Sequence, residues 1–334
     1  MKHKNRFPAG ITAAIGMCVL ILDAKTALLG AKEGVELCIN AVIPSLFPFF
    51  VLSAILNANI IGKKLTLMRP MAALCGVPVG CESILLLGLL GGYPIGAQAI
   101  YDSYKSNNIS AQAARRLLGF CSNAGPSFIF GIVAAQFTDK VTAWLIWGVH
   151  ILSALLVGIL LPHKENYDRA VIKESSIPVT KALEKALKAI ATVCGWVILF
   201  RVIIAVLRRW FLWLLKTEYF MLFSGLLELT NGCCDLNAIT SEGLRFMIAC
   251  CLLSFGGVCV LLQTLSTVKE LGLGMYIPGK ILQALFSFML SALIAFRKDM
   301  VYILPLMIGL LLAVLIPLLL YRKKSSSIIK KCVV

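Results

Sequence analysis

The sequence predicts an all-α polytopic membrane protein built from two inverted repeats, each with an interfacial helix, a re-entrant hairpin and a broken transmembrane helix. Three observations predict it. Of 334 residues, 59% are hydrophobic and only 14% charged, against roughly a quarter charged in a soluble domain. Apolar runs at 9–29, 44–61, 141–161, 189–207, 276–296 and 300–320 are each long enough to cross a hydrocarbon core of about 30 Å as a helix. Two further apolar stretches are interrupted after the same Gly-Leu-Leu, as "GLLGGYPIG" (88–96) and "GLLELTNG" (225–232). Lipid offers the backbone no hydrogen bonds, so a chain of this composition crosses it as helices.

Residues 1–30 open on a basic stretch followed by an apolar run, in imitation of a signal peptide. No small-x-small cleavage site follows, so this is read as a retained first transmembrane helix with a cytoplasmic start. Residues 31–161 then form the first repeat, 162–181 a cytoplasmic linker, 182–296 the second repeat, and 297–334 a last transmembrane helix with a basic tail. The repeat rests on weak matches that keep a common order. "AKEGVELCINAVIPSLFPFFV" (31–51) lies against "ALEKALKAIATVCGWVILFRV" (182–202), placing Glu33 on Glu184 and Phe49 on Phe200. "ARRLLGFCSNAGP" (114–126) lies against "LRFMIACCLLSFG" (244–256), placing Arg115 on Arg245 and Cys121 on Cys251. The segments 62–80 and 208–218 mix Lys and Arg with apolar or aromatic residues, as helices lying in the interface do.

Charge decides between hairpin and crossing. If 81–105 and 219–240 enter and leave on one face, and 269–280 is a cytoplasmic loop, 22 Lys and Arg lie inside and nine outside, with Arg201 within a span. If both segments cross, the division is 17 against 14. The excess of Lys and Arg in cytoplasmic loops favours hairpins, and the two repeats are then inverted, as in many secondary transporters. The same rule accounts for the net charge of +16 without nucleic acid, for which no motif is present. A kinked helix is the plain alternative at "GGYP", since Gly and Pro are common in membrane helices.

Helix ends exposed at such turns offer partial charges to a ligand. At the first tip the candidates are Gly92, Tyr93, Pro94 and Gln98: glycine permits the turn, Pro94 removes a donor, Tyr93 can stack on a ring or anchor at the interface, and Gln98 can bond a ligand. In the first broken span, Ser122, Asn123 and Ser127 flank Gly125-Pro126; they can hold a ligand or re-satisfy the freed backbone. In the second, Ser254 and Gln263 flank Gly256-Gly257. Glu228, with Thr230 and Asn231, is the strongest single signal, because an ionisable residue at membrane depth is costly. Its candidate roles are proton acceptor, cation ligand, or hydrogen-bond donor when protonated; a place at the water boundary of a hairpin limb is the alternative. Glu82 and the Cys233-Cys234 pair are left without a role, and Arg201 is read as snorkelling, pairing with Glu228 or attracting an anion. Most of the 12 cysteines sit in apolar runs, where Cys packs as a small hydrophobe. No metal site, cofactor or catalytic residue is expected: the chain lacks C-x-x-C, Walker A, G-x-S-x-G and H-E-x-x-H patterns.

At "VIPSLFPFFVLS" (42–53), "GLLGGYPIGAQA" (88–99), "CSNAGPSFIFG" (121–131) and "GLLELTNGC" (225–233) the chain resembles the YlbJ family of sporulation integral membrane proteins. It also carries the nucleoside-recognition gate pattern shared with concentrative nucleoside transporters. The resemblance implies two inverted gate repeats, hairpin tips at 91–96 and 228–232, and breaks at 122–126 and 254–257. It also implies a multi-pass protein of a bacterial cell membrane, the outer forespore membrane during sporulation, moving dipicolinate. The expected partners are a small-molecule solute and the lipid bilayer, with homo-oligomerisation left open. A nucleoside transporter and a non-transporting scaffold for spore assembly are the alternatives.

Overall fold

The computed structural model describes residues 6–60, 65–162 and 178–296. Among the described residues every regular element is helical. Five stretches are long and apolar enough to cross a membrane: Ala24–Asn57, Lys140–Leu160, Val179–Trp210, Glu242–Leu271 and Tyr276–Ala295. The expected span at 300–320, the basic tail and most of the linker lie outside the described residues.

The apolar run 9–29 is divided. Helix α1 (Arg6–Leu22) ends at Asp23, and α2 (Ala24–Leu37) continues through a π-helical turn (Cys38–Val42) into α3 (Ile43–Ile60). Asp23 explains the division, because its carboxylate accepts from Trp210 Nε1 (2.9 Å) and pairs with Arg209 Nε (3.0 Å) at the far end of α10 (Val179–Trp210). Gly30 and Gly34 lie one turn apart on α2, and a Cβ on either would crowd α10 at Val202–Ala205 or Ile198. Small residues at this spacing let two membrane helices approach closely. The pair is therefore antiparallel, and Cys38 Sγ reaches the Cys194 carbonyl at 3.7 Å farther along.

Among the described residues of the expected interfacial segment 62–80, a 3-10 turn (Thr66–Met68) leads into a short helix, α4 (Arg69–Leu74). Its counterpart at 208–218 is not a helix of its own. There α10 runs to Trp210, a turn follows, and α11 (Thr217–Leu227) begins. The ion pair and indole bond to Asp23 hold α10 helical through the stretch read as a separate segment. Phe211, Trp213 and Leu214 remain exposed on the turn.

Two helix–turn–helix pairs follow the expected positions: α5 (Glu82–Leu90) with α6 (Ile95–Lys105), and α11 with α12 (Leu229–Cys234). Glycines bring their limbs together. A Cβ on Gly88 or Gly96 would strike Cys121, and one on Gly225 or Gly232 would strike the opposite limb or Leu252. Two helices are broken. The first runs as α7 (Ala111–Leu117), a non-helical stretch, then α8 (Pro126–Phe128) with a π turn (Ile129–Val133) and a 3-10 turn ending at Gln136. The second runs as α13 (Glu242–Phe255), Gly256 and Gly257 at φ +83° and +78°, then α14 (Gly257–Val268) and a 3-10 turn ending at Leu271. Only glycine takes such angles in succession without strain.

The two halves exchange like contacts. Arg115 on α7 donates Nε to the Leu271 carbonyl (2.9 Å), where the second broken helix ends. Arg245 on α13 donates Nη1 to the Gln136 carbonyl (3.0 Å), where the first ends. Likewise α6 packs on α14, and α12 packs on the π turn after α8. Helices α9 (Lys140–Leu160) and α15 (Tyr276–Ala295) pack on each other and on α13.

Backbone contact at α15 leaves no room for a side chain. A Cβ on Gly279 would overlap the Gly119 carbonyl and Cα, whereas one on Gly148 meets nothing within 4 Å. Gly279→Ala is therefore expected to destabilise by about 1–3 kcal/mol, as overpacking does. Gly148→Ala should be neutral or stabilise by up to ~1 kcal/mol, the helix preference of Ala over Gly. Thermal unfolding of the detergent-purified variants measures both; equal melting temperatures would contradict the packing.

Candidate functional site

The tips of the two helix pairs, the first helix break and the helix after the second break converge on one cavity of about 40 Å³. Gly92 and Tyr93 reach it from the first tip, and Glu228, Leu229 and Thr230 from the second. Ala124 and Gly125 come from the first break, and Val260 and Gln263 from the helix after the second. Leu46, Phe128, Val193 and Val197 complete an apolar wall. The volume suits water, for which about 10–15 Å³ suffices, and is too small for a ring.

Gly92, at φ +78°, packs its backbone on Gly125 so closely that a Cβ on either would sit about 3 Å from the other's backbone. Tyr93 is buried and donates its hydroxyl to the Leu253 carbonyl (3.4 Å), tying the first tip to the second break. Pro94 caps α6 without lining the cavity, and the Tyr93–Pro94 peptide bond is cis. Gln98 faces outward and bonds Asp102 Oδ1 (2.6 Å), away from the cavity. Ser127 is half-buried and does not line it.

Glu228 is 2% exposed. It is the N-cap of α12, with Oε1 accepting from Thr230 N (3.0 Å) and Oε2 from Asn231 N (2.7 Å). Those are amides that a helix start leaves without intrahelical partners. Arg201 does not ion-pair with Glu228. Its guanidinium bonds Glu33 Oε2 (3.0 Å) and donates Nη1 to Asn231 Oδ1 (3.1 Å), so it braces the second tip through Asn231. Glu82 is buried at the start of α5, pairs with Arg69 Nη1 (3.1 Å) and accepts from Gly80 N (3.2 Å). It fastens the first pair to α4. Cys233 is fully buried, and no group of three His, Cys, Asp or Glu poised for a metal occurs among the described residues.

Beside the cavity lies a buried polar network. Asn123 donates Nδ2 to the carbonyls of Gly88 (2.9 Å), in the last turn of α5, and Phe120 (2.7 Å), just before the break. Its Oδ1 accepts from Lys280 Nζ (3.1 Å), and Lys280 also donates to Gln283 Oε1 (2.7 Å). His150 Nε2 accepts from Ala124 N (3.1 Å), and its Nδ1 meets Ser254 Oγ at 3.1 Å. Ser254 continues to Ser287 (2.5 Å) and Ser287 to Ser153 (2.9 Å). Ser122 is fully buried, with no hydrogen-bond partner for its Oγ among the described residues. Asn123 thus both re-satisfies the backbone and presents a polar head.

Sequence reasoning placed Lys280 in a cytoplasmic loop; it is instead 2% exposed, on the inner face of α15. The signal was available. Lys280, Gln283, Ser287 and Ser291 recur at three- and four-residue spacing along one otherwise apolar helix, a polar stripe at helical period. His150 and Ser153 form the matching pair on α9.

No protein-family model and no solved structure matches the chain. Over 166 residues it is 31% identical to the sporulation integral membrane protein YlbJ of Bacillus subtilis (strain 168), across 48% of this chain and 40% of that protein. The match thus spans less than half the length of that relative. The similarity agrees with the apolar helices: this is a multi-pass integral membrane protein.

Replacing Asn123 by Ala removes the partners of two buried carbonyls and one ammonium donor. Each unsatisfied buried group costs about 1–3 kcal/mol. Asn123→Ala should lower the melting temperature by many degrees, while Gln98→Ala, at an outward-facing position, should stay within about 0.5 kcal/mol of wild type. A mild Asn123→Ala would mean that the network around it is not holding the break.

Proposed function

We propose that this chain is a transporter of a small polar solute, built from two inverted repeats whose hairpins re-enter the membrane and whose tips close on the solute. One observation carries the reading: both tips, the first helix break and the helix that follows the second break line the same cavity. Non-helical backbone at membrane depth is tolerated where it is enclosed by protein or lines a watery path, and discontinuous helices at the midplane are how many secondary transporters hold substrate. The reciprocal bonds of Arg115 and Arg245 support a two-fold relation between the halves. At about 40 Å³ the cavity corresponds to a closed state, so solute enters when the tips separate, as in alternating access.

The relative's name carries sporulation, and we take the biological setting from it. On this reading the protein serves endospore formation at the outer forespore membrane, and dipicolinate is the first solute to test. Nucleosides are the second, on the gate pattern of the hairpins.

Uptake into vesicles carrying the purified protein tests the proposal. Wild-type vesicles should accumulate one of these solutes above protein-free vesicles. Glu228→Gln keeps one amide acceptor at the cap and removes the charge; it should fold and slow initial uptake by about tenfold, equivalent to ~1.4 kcal/mol. No uptake of either solute class by wild type would remove the reading, and unchanged uptake by Glu228→Gln would remove Glu228 from the path.

A further inference from the structure

Lys280 has an incomplete set of partners. An ammonium carries three donors. Two go to the neutral amide oxygens of Asn123 (3.1 Å) and Gln283 (2.7 Å). No carboxylate pairs with it among the described residues, where the ion pairs are Arg69–Glu82, Lys105–Glu270, Arg201–Glu33 and Arg209–Asp23. The rings of Tyr93 and Tyr276 lie 5.2 and 5.9 Å from Nζ, within the range where a π face attracts a cation. The amide oxygens and ring faces around the group favour a positive charge, but burial opposes it and no carboxylate among the described residues neutralises it. A buried charge without a counter-ion costs several kcal/mol, and a helix that needed only volume here would carry Leu or Met.

Tyr93 links this cation to the cavity, since its ring lines the cavity at the first tip and also faces Lys280. Asn123, which holds Lys280, belongs to the same break as the cavity-lining Ala124 and Gly125. We propose that Lys280 is the anion-binding group of the solute site, and that a small carboxylate entering between the tips displaces the Tyr93 ring and takes the third ammonium donor. The inference rests on the transporter reading and adds to it the residue that selects a carboxylate over its neutral amide.

The test is binding of matched acids and amides to the full chain in detergent: dipicolinate against dipicolinamide, and benzoate against benzamide. Wild type should bind the carboxylates at least about tenfold more tightly than the amides, about 1.4 kcal/mol. Lys280→Gln and Lys280→Met should lose that preference while keeping their affinity for the amides. A purely structural role for Lys280 would weaken acids and amides together. Retention of the wild-type acid preference in either variant overturns the proposal and leaves the transporter reading standing. So does a wild-type preference for the amides, which needs no variant to fold. Failure of wild type to bind any of the four also overturns it, and the vesicle uptake then decides separately whether the transporter reading survives.

Discussion

Every polar backbone group freed at a helix break or hairpin tip in this bundle must find its partner inside the protein. That constraint organises the fold. Several partners come from a different element, so satisfying the breaks also cross-links the helices. Asn123 answers for the carbonyls of Gly88 and Phe120, His150 for the amide of Ala124, and Tyr93 bonds Leu253. Glu228 answers for the amides of Thr230 and Asn231. Arg116 closes the C-terminal turn of α9 by donating to the carbonyls of Gly158 and Leu161. In water such groups could be left to solvent. In a membrane core each would cost several kcal/mol, so the side chains that serve them are as fixed as the backbone.

The same logic accounts for the glycines. Breaks and tips come close enough to share partners only where no Cβ intervenes. Gly92 against Gly125, Gly225 against Gly232 and Gly279 against Gly119 are such contacts. These contacts leave a small cavity at the meeting point of four non-helical or helix-end segments. Glu228 lies on its wall, and Lys280 lies behind Tyr93. An acidic and a basic side chain thus lie near one small space, each held by neutral or backbone groups rather than by the other.

Much of this was legible in the sequence. The interruptions at Gly91–Pro94 and Glu228, the breaks around Asn123-Gly125-Pro126 and Gly256-Gly257, and the burial of Glu228 all follow from turn residues and polar residues in apolar runs. The match of Arg115 with Arg245 was visible, but not that each reaches the other half. What escaped depends on partners far apart in the chain. Lys280 is 157 residues from Asn123; the polar stripe on its helix signals an inward face, but not which partner it meets there. The division at Asp23 depends on Arg209 and Trp210, and the Arg201 pairing depends on Glu33. The interfacial helix expected at 208–218 failed for the same reason: local amphipathic composition did not reveal that α10 is held to α2 as far as Trp210.

The central claim is that both helix pairs dip into the membrane and return, so that their tips meet from opposite sides. Single cysteines labelled in intact cells by a membrane-impermeant thiol reagent, in a background lacking Cys18 and Cys332, test it directly. Leu67 and Ser106 are exposed and bracket the first pair, and Leu214 and Thr240 are exposed and bracket the second. The account predicts that the members of each pair label from the same face, and the two pairs from opposite faces. Labelling of Leu67 and Ser106, or of Leu214 and Thr240, from opposite faces would contradict it.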